Sequence, residues 1–471
     1  MNEYEKLAVK FSTQTITSKE MGAVDLNCEY YGLSRLQLME NAGKAIAEEV
    51  LKLNPSEVIV FAGTGNNGGD SFVASRFLIK KVNVKIYLMG NVKTEIAKKN
   101  LELAKLSGVE VLNGVPDEVK ADCVLDAMLG TGVKGELREP YSSAVDLINN
   151  CKAKIIAVDV PTGINPDTGE FKKAVKADIT VTFHKVKPGL IKPEVKDYVG
   201  KLIVKDIGIP PLIEALSGPG DVKLTFKRNE YSHKGENGKI LVVGGGPYTG
   251  APFLSAIASL KAGADLVFLA VPSEIKSIVS SYSPEIIVRG FESPEELKNL
   301  SKIDVAVVGM GMEDSLAEDV LKVIRCKKFV LDASAIPYID LVEGDVIITP
   351  HTGEIKKYFG IENLEEVITL ARKEKITILL KGKIDFITNG EKVKLNKSGN
   401  AGMTVGGTGD VLAGVCGAIL SNSNAFDAAT ASAFICGLAG DISFEEKGYC
   451  LTAMDVVENI PFAVKKCLEF S

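Results

Sequence analysis

Short apolar segments alternate with helical segments along most of the chain, and this alternation restricts the fold more than any other feature. The strands predicted in the first half are Glu57–Ala62, Val84–Met89, Val109–Leu112, Cys123–Ala127 and Lys154–Asp159. The helices predicted among them are Ser71–Lys81, Thr94–Ser107 and Ser142–Asn150. This order predicts a parallel, doubly wound α/β sheet, in which ligands bind beyond the carboxyl ends of the strands.

The second half alternates in the same way but carries different motifs after its strands. Its predicted strands are Ile240–Val243, Asp265–Val271, Ile303–Val308, Phe329–Asp332, Val346–Ile348 and Thr377–Leu380. Helices are predicted last, at Val411–Leu420, Ala425–Gly440 and Thr452–Lys466. Two clusters of proline and glycine, Ile209–Pro211 and Ser217–Gly220, interrupt the alternation between the halves. We therefore predict two doubly wound α/β domains, residues 1–217 and 218–471, the first of them Rossmann-like.

Composition argues against several classes of function. The formal net charge of −6 and a pI near 5.5 argue against nucleic acid or an anionic membrane as partners. The N-terminal residues lack a secretory pattern, and Ala425–Gly440 is expected to be too short and too polar to span a bilayer. Eight scattered cysteines without a C-x-x-C pair indicate reduced thiols in a cytoplasmic protein, and three histidines argue against a zinc site.

Three polar clusters follow strands of the first half. They are Asn66–Asp70, the segment from Asp126 to Glu136, and Asp159–Gly163. Because the carboxyl ends of parallel strands meet at one edge, these loops are expected to converge on one crevice. The glycine-rich turn by itself gives no specific indication of hydride transfer. The two asparagines could bond a ligand or offer oxygens to a hard cation, and a tight Asn/Gly turn is the alternative.

Lys134 and Asp159 are the candidate acid/base pair of this crevice. Asp159 would accept a proton, while Lys134 would donate one or stabilise developing charge. The alternatives are a solvated loop lysine for Lys134 and a turn cap before Pro161 for Asp159.

Together the motifs Asn66-Asn-Gly-Gly-Asp70, Gly130-Thr-Gly-Val-Lys-Gly-Glu136 and Asp159-Val-Pro-Thr-Gly163 resemble the NAD(P)H-hydrate epimerase family. Its members interconvert the R and S forms of a hydrate in which water has added to the nicotinamide ring. The resemblance implies a substrate pocket formed by Asn66, Asn67, Gly68, Gly69, Asp70, Gly130, Thr131, Gly132, Val133, Lys134, Gly135, Glu136 and Asp159. It also implies a potassium ion bound by Asn67, Asp126 and Thr162.

A glycine-rich segment near the C-terminal end, Asn400–Asp410, predicts a phosphate cradle. Its glycines let the backbone approach a phosphate closely, and the amides that open the following helix attract anions. A carboxylate at this position, Asp410, is unsuited to binding phosphate but suited to removing a proton from an attacking hydroxyl. The alternative is an ordinary glycine-rich turn with Asp410 as a helix cap.

Polar groups follow other strands of this half as well. Gly309–Met312 lets the backbone approach a ligand, and Lys381 could neutralise a phosphate. His351 lies in Thr349-Pro-His-Thr-Gly-Glu354, where it could stack on a ligand ring or donate a hydrogen bond to it. A purely structural role for His351 is the alternative.

The second half resembles the ribokinase-like superfamily and, more closely, the NAD(P)H-hydrate dehydratase family. The motifs are Ser232-His-Lys-Gly-x-x-Gly-Lys239, Tyr248-Thr-Gly-Ala-Pro252, Thr349-Pro-His-x-Gly-Glu354, Lys381-Gly and Asn400-Ala-Gly-Met-x-x-Gly-Gly-Thr-Gly-Asp410. The resemblance implies hydrate contacts by Ala251, Gly311, His351, Thr352, Gly353, Glu354, Ile355, Lys356, Lys357 and Asp410. It implies nucleotide contacts by Lys381, Gly382, Lys383, Ile384, Asp385, Asn400, Ala401, Gly402, Met403, Thr404, Val405, Gly406, Gly407, Thr408 and Gly409.

Both halves together are similar to the bifunctional NAD(P)H-hydrate repair enzymes of prokaryotes. In the implied reaction the C-terminal domain dehydrates the S form of hydrated NADH or NADPH to restore the cofactor, with Mg²⁺ and with ADP as phosphoryl donor giving AMP and phosphate, or ATP in its place. A homo-oligomer is also expected. The chain departs from the family pattern at Ser334, often a second Asp, at Thr352, often Pro, and at Asp385, often Thr in bacterial members.

Two rival interpretations remain open at the level of sequence. A small-molecule kinase would release a stable phosphorylated product, but it would not need the first half. A nucleotide-binding scaffold would bind without turnover, but it would give no reason for Asp159 and Asp410 to lie beside glycine-rich loops.

Overall fold

The computed structural model describes residues 1–130, 136–300 and 302–470 of the chain, with Asn299 described by its backbone alone. Two compact units divide it. The first domain is Thr13–Pro210, and the second domain is Pro211–Ser471 together with Met1–Ser12.

The division differs from the predicted boundary after residue 217. Leu216 forms a β-bridge with Leu395, and the Ser217 hydroxyl donates to the Asn396 side-chain oxygen at 2.9 Å, so both residues belong with the second sheet. The proline and glycine clusters mark both ends of the short segment between them, but only its tertiary contacts assign it to a domain.

The first domain contains one seven-stranded parallel sheet flanked by helices. Helix α1 (Glu3–Lys10) comes first in the chain but belongs to the second domain. The helices of the first domain are α2 (Ser18–Tyr30), α3 (Arg35–Leu51), α4 (Asn66–Leu78), α5 (Glu95–Leu106), α6 (Tyr141–Asn150) and α7 (Lys196–Val199). Its strands are β1 (Glu57–Ala62), β2 (Asn83–Leu88), β3 (Glu110–Asn113), β4 (Cys123–Ala127), β5 (Lys154–Val158), β6 (Ile179–Phe183) and β7 (Lys201–Lys205).

The strand order is β3-β2-β1-β4-β5-β6-β7, and every neighbouring pair is parallel. This is the doubly wound order of a Rossmann-like sheet, with its topological switch point between β1 and β4. The predicted fold class of this half is confirmed. Strands β6 and β7 were not predicted, and α4 begins at Asn66 rather than Ser71, so the Asn-Asn-Gly-Gly segment is the first turn of a helix.

The second domain has a nine-stranded sheet of order β10-β9-β8-β11-β12-β13-β14-β15-β16. Its strands are β8 (Lys239–Val243), β9 (Leu266–Pro272), β10 (Ile287–Phe291), β11 (Val305–Val308), β12 (Lys328–Leu331), β13 (Asp345–Ile348), β14 (Thr377–Leu380), β15 (Asp385–Thr388) and β16 (Val393–Asn396). Its remaining helices are α8 (Pro211–Ala215), α9 (Pro219–Thr225), α10 (Gly250–Lys261), α11 (Lys276–Ser280), α12 (Asp314–Val323), α13 (Thr352–Phe359), α14 (Leu364–Glu374), α15 (Thr408–Leu420), α16 (Ala425–Lys447) and α17 (Ala453–Glu469).

The seven strands β8 to β14 are parallel in this sheet. Strands β15 and β16 extend the sheet at one edge through antiparallel pairing. The second doubly wound α/β fold is therefore confirmed as well. The core is formed by buried residues of the central strands and of α10, α15, α16 and α17. The packing of α15 in this core places the N-terminus of the helix among the loops that follow the parallel strands.

Helix α16 is longer than predicted. The segment Ala425–Cys450 is long and apolar enough to cross a membrane by length and composition, contrary to the expectation for Ala425–Gly440. However, 83% of its most apolar stretch is buried inside the protein, against α15, α17 and α9. Burial of this kind identifies α16 as a core helix of the second domain.

The N-terminal helix α1 packs against α8 and against β16, the edge strand of the second sheet. Leu7 is 6% exposed, Tyr4 meets the Phe386 ring edge-on at 6.0 Å, and Lys397 donates to Glu5 at 2.8 Å. A helix over an edge strand also shields it from pairing with another chain.

Leu7→Ala is therefore expected to destabilise the second domain by about 2–4 kcal/mol, because it removes a buried side chain and leaves a cavity. Thermal unfolding monitored with dehydratase activity would show an earlier loss of that activity than in the parent chain. Leu106→Ala, at an 83% exposed position of the first domain, is the matched control and should leave both transitions in place. An unchanged second-domain transition in Leu7→Ala would contradict the packing role of α1.

Two candidate active sites

A cleft of about 570 Å³ lies at the carboxyl ends of β1, β4 and β5 in the first domain. It brings together five of the predicted pocket residues, which are Asn66, Asn67, Asp70, Gly130 and Asp159. The first turn of α4 forms one wall. Gly68 in that turn permits a close approach, because a Cβ there would lie 2.2 Å from the Gly63 carbonyl oxygen. The free amides of this helix start face the same region as the cleft-lining asparagines, which favours an anionic ligand.

Asp159 is held from two sides at the end of β5. Its φ of +62° is unusual for a residue other than glycine, and its amide donates to the Val181 carbonyl at 2.7 Å. One carboxylate oxygen accepts from Lys187 Nζ at 2.7 Å and from the Thr182 hydroxyl at 2.9 Å. Lys187 is 1% exposed and also donates to Thr182 and to the Phe183 carbonyl, each at 3.0 Å. Asp159 lines the cleft, and no hydrogen bond from the described residues of the domain reaches its other carboxylate oxygen.

Asp126 and Thr162 are joined beneath the cleft. The Thr162 hydroxyl donates to Asp126 at 2.6 Å and its amide donates at 2.7 Å. Burial raises the pKa of Asp126 to about 6, although these hydrogen bonds oppose the shift. Both side-chain polar atoms of Asn67 are buried with no hydrogen-bond partner among the described residues. Orphaned polar atoms at such a position call for a ligand.

Two further carboxyl groups line this cleft. Burial raises the pKa of Asp25 to about 6, with Lys187 and Arg35 opposing and Asp159 reinforcing the shift. The pKa of Asp70 is raised well above its ordinary value by burial and by the nearby Asp159 and Asp25 carboxylates. The surroundings of the cleft thus favour the protonated forms of both Asp25 and Asp70 relative to free carboxyl groups.

The second domain gathers its own polar groups where its parallel strands end. Gly311, after β11, lies against Tyr248 and Ala251, since a Cβ on Gly311 would be 3.3 Å from the Ala251 Cβ. Lys381, after β14, donates to Asp332, after β12, at 2.9 Å, and the Thr349 hydroxyl donates to the same oxygen at 2.7 Å. The loops of four neighbouring strands therefore converge.

The N-terminus of α15 completes this site. Gly407 caps the helix with φ +100°, and Thr408, Gly409 and Asp410 form the first turn. Lys381 Nζ lies so close that it would be 3.3 Å from a Cβ on Gly409. A helix N-terminus beside an ammonium is a strong anion site.

Asp410 has the charge properties of a base that works near neutral pH. Burial raises the pKa of Asp410 to about 7, and the Asp332 carboxylate adds to the shift while Lys381 opposes it. Burial opposes the ammonium form of Lys381, but Asp332, Glu354 and Asp410 outweigh it and raise the pKa of Lys381. The pair therefore combines a fixed cation with a carboxylate that can hold or release a proton at pH 7.

Comparison with known proteins agrees with both sites. Residues 35–189 match the family model of the YjeF-related protein N-terminus, and residues 240–462 match the model of NAD(P)H-hydrate dehydratase. The bifunctional NAD(P)H-hydrate repair enzyme Nnr of Archaeoglobus fulgidus is 53% identical, over 97% of this chain and 99% of its own. The enzymes of the same name from Pyrobaculum aerophilum and Methanothermobacter thermautotrophicus are 41% and 40% identical, over 96% and 94% of this chain and 98% and 94% of theirs.

The chain belongs to the family of bifunctional NAD(P)H-hydrate repair enzymes. It has an epimerase domain and a dehydratase domain, and it restores NAD(P)H from hydrated NADH and NADPH. The predicted family, enzyme class and repair function are confirmed.

The remaining predicted residues of the epimerase domain do not all reach its cleft. Gly68 and Gly69 are buried within α4, and Glu136 is exposed and paired with Lys172. Thr131, Gly132, Val133, Lys134 and Gly135 lie outside the described residues. The roles assigned to these residues stay predictions.

Several residues of the dehydratase domain brace the site. His351 caps α13, where its Nδ1 accepts from the Gly353 and Glu354 amides at 3.0 and 3.2 Å, and its Nε2 lies 3.5 Å from the Glu354 carboxylate. Asp385 accepts from Asn396 at 2.9 Å and from the Gly382 amide at 3.1 Å, which closes the loop after Lys381. Burial raises the pKa of Asp385 against these two hydrogen bonds. Ser334, the departure from the family pattern, donates to the Gly309 carbonyl at 2.8 Å.

The loop before α15 rests on α16. Asn400 donates to the Gly440 carbonyl at 3.1 Å and to Asp441 at 2.9 Å, and Asp441 also accepts from the Gly399 amide. Gly440 leaves space for the loop, since a Cβ there would lie 2.1 Å from Met403 Sδ. The donors of the Asn400 side chain are therefore used within the protein, and the nucleotide contacts assigned to this loop stay predictions.

Four neighbours of predicted site residues were missed, namely Asp25, Lys187, Asp332 and Asp441. Lys187 follows β6, whose alternating Ile-Thr-Val-Thr-Phe pattern and polar successor His-Lys-Val-Lys would have indicated another strand end. Asp332 stands at the predicted end of a strand, which is itself a signal. Asp25 and Asp441 lie inside helices, where no local pattern marks them.

Proposed function

We propose that the dehydratase domain transfers a phosphoryl group from ADP to the hydroxyl of the hydrate, and that Asp410 accepts the hydroxyl proton. Hydroxide leaves a saturated carbon poorly, whereas phosphate leaves readily. Loss of phosphate then restores the double bond of NADH or NADPH. The observation that carries this proposal is Asp410 in the first turn of α15, beside the Lys381 ammonium and the free amides.

The charges in the site support a nucleotide substrate. Lys381 and the α15 amides can stabilise the phosphoryl oxygens, and each such preorganised donor is worth about 3–4 kcal/mol in the transition state. No group of three or more acidic, cysteine or histidine ligands occurs among the described residues. We therefore treat Mg²⁺ as part of the nucleotide substrate, bound chiefly by phosphates and water.

The donor can be identified with one assay. The full chain is incubated with mixed hydrate epimers, Mg²⁺ and either ADP or ATP, and recovery of reduced-cofactor absorbance is measured. We expect ADP to support recovery with formation of AMP and phosphate. Recovery with ATP alone would contradict the choice of donor, and a stable phosphorylated hydrate would indicate a kinase.

In the epimerase domain we propose that Asp159 takes the hydroxyl proton of the hydrate, with Lys134 donating a proton or stabilising developing charge. The support is the ion pair that aims one Asp159 oxygen at the cleft. The nicotinamide hydrate of either epimer would occupy the cleft lined by Asn66, Asn67, Asp70 and Gly130.

We also propose that Asn67, Asp126 and Thr162 hold a potassium ion. The orphaned Asn67 oxygen and the joined Asp126 and Thr162 oxygens fit a hard cation, which prefers such ligands. The ion would offset the charge of Asp126 and help to position anionic groups of the hydrate.

Asn67→Ala is accordingly expected to raise the potassium concentration needed for half-maximal epimerisation at least about tenfold, since one ligand bond to the cation is lost. Potassium-dependent thermal stabilisation of the first domain should weaken in parallel. Asn66→Ala is the matched control, because the Asn66 oxygen accepts from Thr94 at 2.8 Å instead. Identical potassium titrations for Asn67→Ala and the parent would remove Asn67 from the site.

A further inference from the structure

Lys187 cannot itself deliver a proton to the hydrate. Its ammonium has three N–H donors, and these are directed to Asp159, Thr182 and the Phe183 carbonyl. The side chain is buried, so no donor is left for a substrate in the cleft. Lys187 is a positioning residue that keeps a positive charge beside Asp159.

Two more cations, Arg35 and Lys93, line the cleft together with Asp25. Arg35 of α3 has its Nε 3.8 Å from the Glu29 carboxylate, and burial raises the pKa of Asp25 from α2 against the charges of Lys187 and Arg35. Lys93 lies on the exposed rim. Lys187 is thus ion-paired with Asp159 and is also the foremost charge that opposes the raised pKa of Asp25.

Asp70 is the remaining acid. Within residues 1–130 and 136–300, no hydrogen bond or ion pair reaches its carboxyl group, although the group lines the cleft. Burial and the two neighbouring carboxylates favour its neutral form, which the charge of Lys187 opposes only in part. Environments that separate the protonation states of two nearby carboxyl groups are typical of an acid/base pair.

We propose that Asp70 is the general acid of the epimerase and donates a proton to the ring nitrogen of the hydrate, opposite in role to Asp159. This inference rests on the proposed role of Asp159, and it assigns Lys134 to stabilising charge alone. Asp70 is thereby a catalytic residue and not only part of the substrate pocket.

The proposed step balances. Water adds to an enamine with its hydroxyl on the carbon bonded to nitrogen. Asp159 takes the hydroxyl proton, the carbon–nitrogen bond breaks to give an aldehyde, and the ring nitrogen receives the electron pair and the Asp70 proton. After the aldehyde rotates, nitrogen attacks its other face, returns its proton to Asp70, and the oxygen regains its proton from Asp159.

The test is interconversion of a single pure epimer by the full chain without nucleotide, followed by separation of the epimers. Asp70→Asn should lower kcat at least about a hundredfold, while KM stays within about threefold because the amide can still donate a hydrogen bond. The acid must be protonated, so the parent rate should fall as pH rises through the pKa of Asp70. This fall in rate at high pH, the basic limb of the pH profile, should be absent from the residual activity of Asp70→Asn.

Three comparisons keep the result interpretable. The dehydratase activity of Asp70→Asn, measured on the epimer that the dehydratase domain accepts, shows whether the variant chain is folded. Asp25→Asn and Lys134→Gln should keep the basic limb, whatever their rates. The proposal fails if Asp70→Asn retains kcat within about threefold, keeps the basic limb, or loses only affinity, or if Lys134→Gln removes the limb. An active Asp159→Asn would instead overturn the proposed base.

Discussion

Asp410→Asn is expected to lower the rate of dehydration at least about a hundredfold, while epimerisation proceeds as in the parent chain. The amide is nearly the same size as the carboxyl group and can still face the α15 amides and Lys381. It cannot accept the hydroxyl proton. Because burial and Asp332 raise the pKa of Asp410, the uncharged variant is not expected to lose stability.

The pH dependence of the parent supplies an independent check. A base with a pKa of about 7 is ionised above that value, so dehydration should rise as pH increases through about 7. Asp332→Asn removes a carboxylate that raises this pKa, so the rising limb should move to lower pH. Both measurements follow absorbance recovery with saturating nucleotide.

Asp319→Asn is the matched control for Asp410→Asn, since Asp319 is 62% exposed on α12 and lies on a helix of the same domain. It should leave dehydration and thermal unfolding unchanged. Near-parental dehydration by purified Asp410→Asn would remove Asp410 from the role of base, even if nucleotide still bound.

Asp159→Asn is expected to lower epimerisation about 10²–10⁴-fold, the usual contribution of a positioned base. With mixed epimers and nucleotide, cofactor recovery should then stop once the S hydrate is consumed, because the R hydrate is no longer converted. Asparagine is the suitable replacement, since it tolerates the positive φ at this position better than alanine.

The same substitution leaves the buried Lys187 ammonium without its partner. Removing one member of a buried ion pair typically costs about 3–5 kcal/mol, so the first domain should unfold at a lower temperature. The double variant Asp159→Asn with Lys187→Met removes both charges and should regain part of that stability without regaining epimerisation. Recovery of activity in the double variant would show that the loss came from misfolding.

The sequence predicted most elements of both sheets, because buried parallel strands and the helices between them have clear local patterns. Strands β6, β7, β10 and β16 were not predicted, because each follows a turn or a very short helix rather than a helix of ordinary length. The C-terminal end of α16 was not predicted, for another reason. Its last residues are polar, and burial of the preceding apolar residues decides where the core helix continues.

The motifs, and with them the family and the two carboxylates that we propose as bases, Asp159 and Asp410, could be inferred from sequence because each motif is contiguous and most of them follow a strand. Tertiary structure alone decided which distant groups meet them. It joined Lys187 to Asp159, placed Lys381 against both Asp332 and the start of α15, and assigned the first twelve residues to the second domain. These pairings depend on strand order and on the path of loops between strands. The charge of a buried acid such as Asp70 or Asp410 depends in turn on those pairings, so it is absent from any local pattern.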